Sequence, residues 1–128
     1  MSQLKSRMNV INVLYVYELT GEEISLELIN KEYDLKDHEF KALEWIVKKY
    51  LQLKKMISNF LKVGWPWKRI LPLERAMLLY GSFELSFRNK AIVINEIITL
   101  AKGYITEESY KFINAILEKV AGVYDKNK

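Results

Sequence analysis

The chain has 128 residues, a net charge of +4 and no cysteine, which fits one domain and excludes disulfides, zinc–thiolate sites and thiol nucleophiles together. Half of its residues are apolar and 28% are charged, the balance of an ordinary globular protein and not of a disordered tail. No stretch approaches the roughly 18 consecutive apolar residues that span a bilayer, and the missing cysteines suit a reducing cytoplasm.

The opening MSQLKSRMNVINVLYVYEL breaks its apolar run at Asn12 and has no cleavage site, so it reads as mature structure rather than a signal peptide. Leu4, Met8, Ile11 and Tyr15 fall on one face of a first helix that stops near Thr20-Gly21. A short helix is predicted over residues 25–33. Asp37 then suits the N-cap of a long helix reaching about Lys62, with Leu43, Ile46, Val47, Tyr50, Leu53, Ile57, Phe60 and Leu61 as its apolar stripe. Lys41, Lys48, Lys55 and Lys62 recur every seven residues on another face. Gly64 and Pro66 close that helix, and WPWKRILP punctuates the middle of the chain.

Pro72 suits the first turn of the next helix, which carries Leu73, Met77, Tyr80, Glu84 and Phe87 at helical spacing. Val93, Ile97, Leu100, Ala101 and Tyr104 outline another, ending near Gly103. Its core AIVINEII also passes for a strand, but a lone strand has nothing to pair with. Thr106 caps the last helix, Glu107 and Glu108 suit its positive end, Ile113, Leu117 and Val120 form its buried side, and Gly122 ends it. The expectation is an all-α compact bundle of about six or seven helices. It forms a single domain over residues 1–128, with WPWKRILP dividing sub-halves of roughly 1–64 and 65–128.

Charge is segregated along this bundle. Residues 18–47 carry nine acidic and three basic side chains, whereas residues 48–75 carry eight basic and one acidic. Such segregation makes a polyanion-binding face from a modest total, or simply two solvated helix surfaces.

Catalysis has little to work with. His38, the only histidine, lies between Asp37 and Glu39 at a helix start and reads as a surface residue, because a triad needs a base placed by a third group. Glu22/Glu23 and Glu107/Glu108 are adjacent pairs that do not face each other on a helix. No Gly-rich phosphate loop and no Asp-rich metal loop occurs, so the chain is expected to be no enzyme and to need no cofactor. Trp65 and Trp67 flank Pro66 beside Lys68 and Arg69. They read either as core plugs or as a base-stacking surface. Asn95 and Asn114, inside apolar stretches, are either internal caps or site residues.

In order and spacing these residues resemble the NusB family of transcription antitermination factors over nearly the whole chain. The match opens at Arg7-Met-Asn-Val-Ile-Asn-Val-Leu-Tyr-Val-Tyr-Glu-Leu19. It continues through Trp65-x-x-x-Arg69-Ile70-x-Pro72-Leu73-Glu74-Arg75-Ala76 and Phe83-Glu84-Leu85. Ile94-Asn95-Glu96-x-x-x-Leu100-Ala101-Lys102 and Ser109-x-Lys111-Phe112-Ile113-Asn114-x-x-Leu117-x-Lys119 complete it.

The resemblance implies a helical bundle in two perpendicular halves. It also implies binding of single-stranded RNA in ribosomal RNA transcripts, together with the small-subunit ribosomal protein NusE, in a complex that makes RNA polymerase resistant to termination. It carries an RNA-binding role to Lys5, Arg7, Lys111, Phe112 and Asn114, and a protein-interface role to Tyr15, Glu74 and Glu84. The sequence departs from the family in four places. Its N-terminal cluster is thinned to Lys5 and Arg7, and Ala115 stands for a usual glycine. The loop between Leu85 and Ile94 is short and lacks a proline, and Leu79 replaces a usual basic residue. These departures sustain an alternative: a scaffold of the same fold for protein interaction, with weak or lost RNA binding.

Overall fold

The computed structural model describes residues 3–127, and every regular element among them is helical. α1 (Gln3–Thr20) ends at Gly21, whose φ of +74° is left-handed and favours glycine. α2 (Leu26–Glu32) begins where Ser25 Oγ accepts the Leu28 N–H at 3.3 Å. α3 (Asp37–Lys48) and α4 (Tyr50–Ser58) follow, then a 3₁₀ turn (Trp67–Arg69). α5 (Pro72–Leu85) has its proline in the first turn. α6 (Lys90–Ala101) is capped by the Asn89 side chain, and α7 (Glu107–Lys126) by Thr106, whose Oγ1 accepts the Ser109 N–H at 3.2 Å.

The structure departs from the expected elements in three places. The single helix expected from Asp37 to about Lys62 is broken at Lys49, where the backbone turns to φ −104°, ψ 13°. Its N-cap is Lys36, not Asp37, and Glu39 three residues on accepts the Lys36 N–H at 2.9 Å. The last helix continues past Gly122 to Lys126. The AIVINEII segment lies within α6, not in a strand.

α5 is the hub. It packs against α1, α3 and α4 as well as α6 and α7, and Ala76 through Ser82 are buried without interruption. A helix apolar on all sides is one enclosed by others. Gly81 sets how closely α7 approaches, because a Cβ there would stand 2.8 Å from Leu117 Cδ2. One continuous core joins Val10, Leu14, Leu43, Ile46 and Ile57 to Ile97, Ile113 and Leu117. No helix among the described residues is long and apolar enough to cross a membrane.

Candidate nucleic-acid interface

The two cations at the start of α1 have opposite surroundings. Lys5 is exposed, whereas Arg7 is only 2% exposed. Arg7 forms a fork on Glu84 of α5, Nε to Oε1 at 2.5 Å and a terminal nitrogen to Oε2 at 3.0 Å, and also donates to Glu96 of α6. Burial alone would lower the Arg7 pKa. The hydrogen bond and charge of Glu84 and the charge of Glu96 outweigh it and raise the pKa instead. Tyr80 joins the cluster, its hydroxyl pushed well up by burial and by its hydrogen bond to Glu84, so it stays protonated and donates.

This geometry corrects two readings at once. Arg7 does not face outward to RNA and Glu84 does not face outward to a protein, because each neutralises the other inside the bundle. Of the other interface candidates, Tyr15 is half-buried against the core. Glu74 is buried and accepts the Leu71 N–H at 3.0 Å, capping α5.

Lys111 and Asn114 fare differently. Both are exposed on α7, and both line a groove of about 330 Å³ against α6. α6 brings Asn95, Ile98 and Lys102 to the same groove, and α7 adds Tyr110 and Glu118. The Lys102 ammonium lies 5.4 Å from the centre of the Tyr110 ring. Lys111 pairs with Glu107 at 2.9 Å, but both side chains stay about two-thirds exposed, so solvent screens the pair. The amides of Asn95 and Asn114 are exposed, so neither is an internal cap. Phe112 lies outside this groove, half-buried against the core, and the aromatic ring in the groove is Tyr110.

Sequence reasoning did not single out Tyr110, and it gave Lys102 only within the family motif, without a site role. The available signal was spacing: Asn95, Ile98 and Lys102 share one face of α6, as Lys111, Asn114 and Glu118 share one of α7. It also missed a second, partly buried network. Arg75 donates to Glu18 at 2.6 Å, and the Tyr50 hydroxyl donates to the other Glu18 oxygen at 2.6 Å. Together with Trp67, these three residues line a cleft whose rim carries Glu22 and Glu23. Of the two tryptophans, Trp67 is buried as a plug at 8% exposure and Trp65 is open at 48%.

Comparison with known proteins places this architecture. The model of the NusB family matches residues 4–122. The chain is 31% identical to the transcription antitermination protein NusB of Helicobacter hepaticus, over 99% of this chain and 86% of that one. It is 34% identical to the protein of that name from Desulfitobacterium hafniense, over 98% of this chain and 92% of that one. Its fold matches the structure of T. maritima NusB with a TM-score of 0.79 at 24% identity, over 95% of this chain and 92% of that one.

Proposed function

The chain belongs to the NusB family of transcription antitermination factors, and from that premise we propose that it binds single-stranded RNA through the α6–α7 groove. One observation carries the proposal. The free amides of Asn95 and Asn114, from two helices, converge with Lys102, Lys111 and Tyr110 on one exposed groove. Unpaired bases are recognised by hydrogen bonds to their edges and by stacking, and phosphates by cations. Lys111 and Lys102 meet the backbone, Asn95 and Asn114 read base edges, and Tyr110 offers the stacking face. Lys5 extends the basic surface from α1. Arg7 positions the start of α1 and does not touch RNA, and Phe112 supports α7 from beneath.

In this reading the RNA lies in ribosomal RNA transcripts, and the small-subunit ribosomal protein NusE binds the chain on a surface that includes Tyr15. The assembly acts in the cytoplasm on RNA polymerase. The test is RNA affinity for single strand and duplex at two salt concentrations, with and without NusE. Lys111→Ala is expected to flatten the salt slope by about 0.7, the share of one single-strand phosphate contact. Asn114→Ala is expected to weaken binding by about 2- to 12-fold, the value of one hydrogen bond. NusE and RNA are expected to raise each other's affinity by the same factor. Equal affinity for duplex DNA would overturn the reading.

The burial of Arg7 favours one alternative, a protein-interaction scaffold with weak or lost RNA binding, since Lys5 alone of the two cations is left exposed at the start of α1. In that case NusE binds and no single strand does.

A further inference from the structure

The WPWKRILP segment has no part in the α6–α7 groove. Trp67 already fills the junction between α4 and α5, so packing does not require the second indole. Trp65 is nevertheless held in place. Its backbone N–H donates to the Lys62 carbonyl at 2.9 Å in a turn through Gly64, whose φ of +81° is left-handed, which fixes the main chain from which the ring projects. The Arg69 guanidinium sits over the indole, 5.5 Å from its centre, and 48% of Trp65 still stays open. Lys62, the fully exposed Val63 and Pro66 share one shallow depression with Trp65. Lys55 is exposed in the last turn of α4, a few residues earlier in the chain.

The charge around this ring decides what it fits. Lys55, Lys62 and Arg69 are exposed and form no ion pair among the described residues. The one acidic residue of segment 48–75, Glu74, is buried and engaged in capping α5. An open indole beside cations without ion pairs is complementary to a ligand that is flat and anionic at repeated intervals. An unpaired nucleotide strand is such a ligand, whereas an acidic peptide supplies the charge without the flat face.

We propose that the Trp65–Arg69 patch is a second single-strand RNA contact. It takes one unpaired base on the open part of the Trp65 indole, with Lys62 and Arg69 at the adjoining phosphates. The proposal rests on the RNA-binding reading above but uses none of the groove's residues, so the two fail separately.

The test titrates the full chain with a single-stranded oligouridine of about 12 nucleotides, within the range that one such surface accommodates. It follows tryptophan fluorescence and affinity at low and high salt. Trp65→Ala is expected to abolish most of the quenching and to weaken binding about tenfold, the contribution of one stacked base, with the thermal midpoint unchanged. Trp65→Phe is expected to recover most of the affinity. Should Trp65→Ala lower the midpoint, the Lys62→Gln/Arg69→Gln double variant decides, through reduced affinity and a flatter salt slope. In Lys111→Ala/Asn114→Ala the quenching is expected to persist while affinity falls. Loss of affinity in the Trp65 variants alone supports this patch and overturns the groove, and loss in the groove variants alone does the reverse. Parent-like binding by Trp65→Ala overturns the proposal, as does equal quenching by a polyglutamate peptide, which would assign the patch to an acidic protein.

Discussion

Truncating Arg7 to alanine leaves Glu84 buried and without its fork, a change that costs about 3–5 kcal/mol where a buried pair loses one partner. Arg7→Lys is expected to recover only part of this, because an ammonium cannot span both Glu84 oxygens and reach Glu96 as a planar guanidinium does. Urea unfolding of the three proteins checks the order. A wild-type midpoint for Arg7→Ala would mean that the fork adds nothing.

Glu39 makes a pH-dependent claim. Burial pushes its carboxyl up, but the Lys36 N–H, Ser6, Asn9 and the charge of His38 outweigh that and hold it below the usual value of 4.5. A depressed carboxylate stabilises the fold above its unfolded pKa and loses that contribution as pH falls through the folded one. Below about pH 4.5 the parent's thermal midpoint is therefore expected to fall faster than that of Glu39→Gln, and parallel curves would refute the assignment. The sequence showed Glu39 only as an acidic neighbour of His38. Nor could it show that Arg7 meets a carboxylate 77 residues away, since a cation near a helix start looks the same whether it is buried or free.

The crossing of α5 and α7 rests on Gly81. Gly81→Ala gains about 1 kcal/mol of helix propensity. It also drives a Cβ to 2.8 Å from Leu117, a fully buried side chain, and overpacking of that kind costs about 1–3 kcal/mol. The expected net effect is a loss that turns into a gain in a Leu117→Ala background, where the space is empty. A double-mutant cycle by denaturant unfolding measures this coupling, and additive effects would show that the glycine is incidental.

The helices themselves were largely legible. The cap at Thr106, the proline opening α5 and the apolar spacing all mark them, while the caps at Ser25 and Asn89 emerge only in the structure. The break at Lys49 was not legible, because nothing local marks it. The apolar phase runs through it from Leu43 and Ile46 to Leu53 and Ile57, and Lys49 still bonds back to Trp45 and forward to Leu53. Half of the groove was legible for a related reason: family motifs gave Lys111 and Asn114, while Tyr110 and Lys102 join them only when α6 and α7 lie side by side.

At the scale of the molecule, the sequence suggested sub-halves meeting at WPWKRILP, yet α1 packs more extensively on α5 than on any helix of its own half. Residues 1–64 made as a fragment are therefore expected to lack a cooperative thermal transition, and mixing with residues 65–128 is expected to restore helicity measured by circular dichroism. Cooperative melting of either fragment alone would show two independent cores. The buried fork has a consequence for synthesis as well. Arg7 waits for a partner 89 residues downstream, and at about 5–20 residues per second the ribosome takes about 4–18 s to make that stretch. For most of that interval the apolar side of α1 has been translated while α5, its main cover, is still incomplete. The native packing of α1 is therefore complete only after most of the chain has been made.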